Sequence, residues 1–320
     1  TTFSFMGISL GVATLIIVMS VMNGFREELT SKVLGINGHM KILSYNQGII
    51  PGYEKLSDLI ERNLSDAQVQ PTITSQALIS TGKFSSGVVL KGLSFSSLKN
   101  RPLIRENISE KVLLDFKQNK GIIVGSKLKS NFGISNNETV NIISPHGTET
   151  PFGKIVNSST YNILGSFETG MYEYDLSLII FPLPLLQNFL GIDDKVDTLE
   201  IFIDDFSKID EITNQIREYI PQYLSLVDWR RLNPSLFNAI EVERNVMFLI
   251  LFLIILVAAF NLVSSMIMLV NNKRKDIGIL RTLGVTKYQL LKIFILNGFS
   301  IGFIGTVLGL TLGILFCLNI

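Results

Sequence analysis

NNKRKDIGILRTLGVTKYQLL, residues 271–291, is a basic segment pinned between two long apolar runs. Residues 246–270 before it and 293–320 after it carry no charged side chain. At about 1.5 Å per helical residue, either run exceeds the ~20 residues needed to cross a ~30 Å hydrocarbon layer, so both are read as membrane helices. Between them stand Lys273, Arg274, Lys275, Arg281 and Lys287, with Lys292 opening the next run, against the single acid Asp276. Short loops rich in lysine and arginine stay on the cytoplasmic side, which places 271–291 inside.

The segment also has internal order. Ile277, Leu280 and Leu283 or Gly284 recur at helical spacing, so a short helix with one apolar side is expected. Gly284 suits its C-terminal cap, and Thr286 followed by Gln289 reads as a capping box that restarts the chain as a helix. A connector that only holds topology needs the charges but has no use for Ile277, Ile279, Leu280 and Leu283. Those side chains describe an apolar ridge suited to a groove on a cytoplasmic partner.

The whole chain has 320 residues, 47% hydrophobic and 17% charged, with a net charge of +1. That is too apolar for an ordinary soluble protein, and the excess lies at the two ends. Charge confined to one loop gives no nucleic-acid footprint, so nucleic acid is not expected as a partner. The single cysteine, Cys317, lies in an apolar run and has no internal disulfide mate.

Residues 3–22 form a further uncharged run, with helical spacing continuing beyond it through Phe25, Leu29 and Val33. The expected organisation is a first span over 1–24, a stalk over 25–36, an α+β domain over 37–243, a second span over 244–270, the loop 271–291 and a third span over 292–320. The fold class is therefore an α-helical membrane protein with three spans and an α+β domain between the first and second. Because the chain opens inside an apolar run without methionine, a missing N-terminal piece is expected too. Candidate strands cover 39–43, 76–80, 87–93, 121–124, 139–143, 162–167, 176–181, 199–203 and 225–228. Helices are expected over 53–64, 126–132, 184–190, 206–219 and 234–243, the last capped by Asn233 or Ser235 and running on into the second span.

Residues 144–159, SPHGTETPFGKIVNSS, interrupt two strands and carry Phe152 near their centre. They are either a long hairpin loop or a protruding arm that hooks a partner. In the third span Gly305, Gly309 and Gly313 recur every four residues, a stripe for close helix packing within the protomer or across a dimer.

Chemistry is sparse. The nearest approach to a phosphate loop, TGKFSSG at 81–87, lacks the spacing and the hydroxyl after Lys83, so nucleotide hydrolysis by this chain is not expected. His39 and His146 stand in no metal-binding or hydrolase context. No catalytic residue, metal or cofactor is expected, and no acidic or basic residue inside the spans marks an ion pathway.

Two stretches, ISLGVATLIIVMSVMNGFREEL at 8–29 and the run from Val257 to Gly309, resemble the permease subunits of the lipoprotein-releasing ABC transporter, the LolC/LolE type. GIIVGSKLKSNFGI, SPHGTETPFGK, ETGMYEYD and DWRRLNPSLFNAIEVE extend the resemblance over nearly the whole chain. DIGILRTLG is shared more widely, with macrolide exporters of the MacB kind and with FtsX-type proteins. The resemblance implies an inner-membrane dimer of permeases, identical or paralogous, each with four spans, so a fourth helix is expected beyond the residues given. It implies two copies of a LolD-like cytoplasmic ATPase, a LolA-like periplasmic carrier, a lipoprotein substrate and membrane lipid as partners.

Under that resemblance Asp276, Ile277, Ile279, Leu280, Arg281, Leu283 and Gly284 form the coupling helix on the ATPase. Pro145, Thr150, Pro151, Phe152, Gly153 and Lys154 form the hook for the carrier. The first two spans receive acyl chains, with Met19, Met22, Phe25, Met247 and Phe248 at the upper rim. Nucleotide closure would move the ridge and tilt the second span, and the outer domains would squeeze a lipoprotein from the outer leaflet. The competing readings are an exporter of macrolides or peptides, and an FtsX-like anchor that activates a cell-wall hydrolase without transport.

Overall fold

The computed structural model describes residues 2–44, 48–64, 66–82, 84–136, 138–150, 153–192, 194–203 and 208–319; of residues 2–4, 146–150, 153–155 and 236 only the backbone is described. Two compact units emerge, Thr30–Pro234 on one side and Thr1–Leu29 with Ser235–Ile320 on the other.

The chain opens with α1 (Thr2–Ile36), a single helix of 35 residues. There follow β1 (Met40–Ser44), β2 (Ile50–Pro51), α2 (Tyr53–Asn63), β3 (Ala67–Ser80) and β4 (Ser85–Leu93). Next come α3 (Phe95–Lys99), α4 (Pro102–Arg105), α5 (Glu110–Lys117), β5 (Ile122–Gly125) and α6 (Ser126–Phe132). A long pair, β6 (Thr139–Thr150) and β7 (Gly153–Phe167), leads to α7 (Tyr172–Ser177), β8 (Leu178–Pro182), α8 (Leu183–Leu190) and β9 (Lys195–Val196). The folded unit closes with β10 (Thr198–Ile203), α9 (Ile209–Tyr219), β11 (Leu224–Asp228) and α10 (Trp229–Leu232).

Nine strands form one mixed sheet in the order β11-β1-β10-β3-β4-β8-β5-β7-β6, and β6 also pairs with β3, closing part of the sheet on itself. β4 and β8 run parallel, as do β5 and β7. Side-chain alternation sorts the apolar residues onto the two faces. Ile122, Val124, Ile179, Phe181, Leu199 and Ile201 enter one core, while Ile123, Leu178, Ile180 and Phe167 enter a second with Ile36 of α1 and Leu98, Leu113 and Phe116. At roughly 1.5–3 kcal/mol for each large apolar side chain buried, these two cores hold the unit without any disulfide.

Several expectations are corrected here. The strand expected over 76–80 begins nine residues earlier and contains Pro71. Proline is tolerated there because β3 pairs only with β10 along its first part and meets β4 from Thr72 onward. Residues 172–177 are the helix α7 rather than the start of a strand, and α9 starts at Ile209, Phe206 lying outside the described residues. A helix not expected, α5, covers 110–117 and buries Leu113 and Phe116, three positions apart on one side. The segment 144–159 does not interrupt its strands: pairing continues out to Thr150 and Gly153, with one register shift between Ser144 and Thr148.

In the other unit, α11 (Pro234–Asn272), α12 (Arg274–Thr282) and α13 (Lys287–Cys317) follow. Proline occupies the first position of α11, where its missing N–H costs nothing, and Asn233 turns its amide back to the Trp229 carbonyl at 3.2 Å. Three helices, Phe5–Ile36, Phe237–Asn272 and Lys287–Cys317, are long and apolar enough to cross a membrane. The glycine stripe of α13 faces α1 of the same chain. Ile8, Val12 and Ile16 pack over Gly305, Gly309 and Gly313, and a Cβ on Gly309 would stand 2.5 Å from the Ser9 carbonyl oxygen. Gly309→Ala should therefore push α1 and α13 apart and lower stability in detergent by about 1–3 kcal/mol, outweighing alanine's better helix propensity. Gly302→Ala, with nothing within 4 Å, should be neutral or slightly stabilising in the same unfolding measurement.

Candidate functional site

Two devices separate α12 from α13, one closing the first helix and one opening the second. At its C-terminus Gly284 takes φ 95°. The Gly284 N–H reaches the Arg281 carbonyl at 3.2 Å, and the Val285 N–H reaches the Leu280 carbonyl at 3.1 Å, a Schellman closure. Two residues on, Thr286 and Gln289 complete a capping box: the Thr286 N–H donates to Gln289 Oε1 at 2.9 Å and Thr286 Oγ1 accepts from the Gln289 N–H at 3.4 Å. No side chain of α12 is buried. Ile279 is 60% exposed, Leu280 38% and Leu283 75%, while Asp276 pairs locally with Lys273 at 2.9 Å. These side chains leave aliphatic surface exposed on a short helix closed at its C-terminus.

The second feature is the ribbon of β6 and β7. Its root is fixed, with Val140 and Ile142 in the core and Ser158 donating to Asn141 Oδ1 at 2.8 Å. Thr150, Gly153 and Lys154 stand on the paired backbone near its end, Pro145 is exposed at the register shift, and Pro151 and Phe152 lie outside the described residues.

Where α1 and α11 face each other, an apolar cleft of about 270 Å³ is lined by Gly7, Gly11, Leu253, Ile254 and Ala258, with the Asn261 amide at one end. Met19, Phe25 and Phe248 are exposed, and Met22 and Met247 half-buried. Beside them Arg26 Nη2 lies 3.6 Å from Glu243 Oε1, joining two stretches that the sequence marks out separately.

A fourth feature was not foreseen from the sequence. Glu200, buried in β10, shares its carboxylate among three cations: Lys91 Nζ at 2.9 Å, Lys41 Nζ at 3.2 Å and Arg101 Nη2 at 2.6 Å. Lys91 also donates to the Ile36 carbonyl at 2.9 Å, and Arg101 Nη1 donates to the same oxygen. Arg101 Nε reaches Gln70 Oε1 at 3.1 Å, and its guanidinium lies 5.0 Å from the centre of the Phe202 ring. Burial alone would raise the Glu200 carboxyl, but Lys91, Arg101 and Lys41 hold it well below the carboxylate range, so it is ionised. The only sequence signal was a single lysine in SSGVVLKGL and a single glutamate in TLEIFI, each inside an apolar strand.

Close by, burial raises the Asp197 carboxyl from 3.8 to about 6, against the Thr74 N–H that donates to its Oδ2 at 2.8 Å. A carboxyl raised in the folded state binds its proton more tightly there, so its stability contribution is best below pH 4 and is lost as pH rises towards about 6. Asp197→Asn keeps an acceptor for Thr74, and should gain up to about 3 kcal/mol in unfolding at pH 8. The gain should vanish at pH 4 in the same measurement.

Residues 1–219 match the MacB-like periplasmic core domain, and residues 248–319 match the FtsX-like permease C-terminal family. The lipoprotein-releasing system transmembrane protein LolC of Neisseria meningitidis serogroup B is 33% identical over 322 residues, covering 100% of this chain and 77% of that protein. The chain belongs to the LolC/LolE family. LolE of Haemophilus influenzae, also named a lipoprotein-releasing system transmembrane protein, is 29% identical over 99% of this chain and 77% of its own length. The crystal structure of the periplasmic region of MacB from Actinobacillus actinomycetemcomitans aligns with 62% of this chain and 92% of its own, at 13% identity and a TM-score of 0.40.

Membership of the LolC/LolE family brings an ABC transporter permease role, with a MacB-like periplasmic domain beside three apolar helices. Of the residues singled out beforehand, Asp276 to Gly284 fall together on one short helix and its cap, and the three glycines of α13 pack together against α1.

Proposed function

We propose that this chain is the permease subunit that couples a separate cytoplasmic ATPase to the removal of lipoproteins from the outer leaflet of the inner membrane. The observation that carries the reading is α12: a short helix fully capped at its break, with its aliphatic side chains turned outward and lying between two membrane-length helices. Such a ridge fits a groove on a nucleotide-binding subunit, and the basic side chains around it fit the cytoplasmic side. Closure of the ATPase would displace α12, and with it the spans to which it is joined.

The work to be done is large. Drawing three long acyl chains from a bilayer opposes roughly 0.8 kcal/mol per methylene, tens of kcal/mol in all, so the energy has to come from ATP. An apolar cavity between two permease copies, rimmed by Met19, Met22, Phe25, Met247 and Phe248, lowers the demand by keeping the chains out of water. The ribbon carrying Pro145 to Lys154 would then hold a soluble periplasmic carrier at the exit. The names of the relatives support lipoprotein as cargo.

Reconstitution tests this. In proteoliposomes holding the chain with its ATPase and partner permease, ATP should drive release of a triacylated lipoprotein to an added carrier. Deleting residues 148–153 should cut hand-over to the carrier at least ten-fold while the ATPase rate stays within two-fold. Full hand-over without the ribbon tip would remove the carrier-binding role, and absence of ATP-driven release would remove the transport reading.

A further inference from the structure

We infer that Arg101 and Lys91 are positioning residues for release: they grip the last carbonyl of α1, so that displacement of this helix is delivered to the folded unit through its final turn. The inference rests on the coupling reading above and names the path along which force leaves the membrane.

A helix leaves its last carbonyls without intrahelical partners, and most helices leave them to water or close them with a glycine. Here the Ile36 carbonyl instead receives the buried amino group of Lys91 at 2.9 Å, whose pKa burial lowers to about 7 against the pull of Glu200, and the buried guanidinium of Arg101, both also bound to Glu200. Cations at a helix C-terminus are favoured by its dipole, and burial keeps that attraction unscreened. The walls of the socket are equally close. Leu34 and Ile36 are buried, and Gly35 lies so near Leu103 that a Cβ would overlap it. The next residue, Asn37, donates to Tyr174 Oη at 2.9 Å and accepts from Lys91 at 3.2 Å.

Stability alone does not account for such an arrangement. A buried ion group is often no better than apolar side chains of the same volume. What apolar side chains cannot do is hold a carbonyl oxygen in a fixed direction. α10 is held differently, by the Trp229 N–H on the His39 carbonyl at 3.1 Å and by Arg230 on Asp228 at 2.7 Å, with no fully buried residue of its own.

The test uses the assembled complex in proteoliposomes and reads lipoprotein released per ATP hydrolysed. Arg101→Lys keeps the charge beside Glu200 but cannot span Gln70, Glu200 and the Ile36 carbonyl together. The ratio per folded complex should fall at least five-fold with the ATPase rate close to wild type, while the thermal midpoint drops because buried acceptors lose a donor. A merely structural role would lower the amount of folded complex and leave the ratio per complex unchanged, which would overturn the inference. Lys91→Met, which removes the other donor and keeps an apolar stem, should lower the ratio in the same way if Arg101→Lys fails to assemble. Pro234→Gly, loosening the start of α11, should change the ratio less than two-fold; a larger fall there than at Arg101 would also overturn the assignment. A wild-type complex that releases nothing on ATP addition would instead sink the coupling reading itself, a failure visible before any variant is made.

Discussion

Leu283→Asp should abolish binding of the ATPase subunit while leaving the chain folded. Leu283 is 75% exposed and sits at the C-cap of α12, so the substitution removes no contact within the chain. If it is an anchor in a partner's groove, about 1.5–3 kcal/mol of apolar burial disappears and an ionised carboxylate must be desolvated as well. Together these weaken association at least a hundred-fold. Leu280→Asp should act in the same direction, more weakly in binding and with a small cost in stability, because Leu280 is the less exposed of the two at 38%. Co-purification of the ATPase with each variant, normalised to the amount of folded chain, is the measurement. Wild-type recovery with Leu283→Asp would show that the ridge is not the docking surface.

Glu200→Ala should destabilise the folded unit by about 3–5 kcal/mol, because it strands Arg101 and Lys91 in the interior with no counter-charge. A domain with a total stability of about 5–15 kcal/mol tolerates that loss poorly, so low yield and early unfolding are expected. The companion experiment replaces the buried members of the group, Glu200→Leu with Arg101→Met and Lys91→Met, leaving the part-exposed Lys41 in place. Removing all the buried charges together should cost much less than removing one, by at least 2 kcal/mol. Denaturant unfolding of both variants separates the outcomes, and equal destabilisation would mean that the charges are not held as a closed set. The triple replacement is informative in another way: it should fold, yet leave the Ile36 carbonyl with no donor.

How much of this was visible in the residues depends on the range of the interaction. The spans were legible because uncharged runs as long as 246–270 have few other uses. α12 was legible down to its caps, since Gly284, Thr286 and Gln289 act through hydrogen bonds to residues at most five positions away. Strand interiors followed from apolar runs, whereas the first half of β3 was hidden by Pro71, acceptable only through pairing with the distant β10. The ribbon was hidden likewise, for its strands are defined by each other across the register shift rather than by an alternating pattern. The cluster around Glu200 was the least legible. Lys91 and Glu200 are 109 positions apart, and nothing local says that two lone charges in two apolar strands will meet.

α12 is separated from α11 by Lys273 alone, and the hydrogen bonds from the Lys273 N–H to Leu269 and from the Ile277 N–H to Lys273 carry the ladder across that residue. On its other flank only residues 283–286 precede α13. A crank so short has no slack to absorb a shove. If a partner docks on its outer side, a displacement there should reach α11 through an unbroken backbone ladder, and α13 across only four residues.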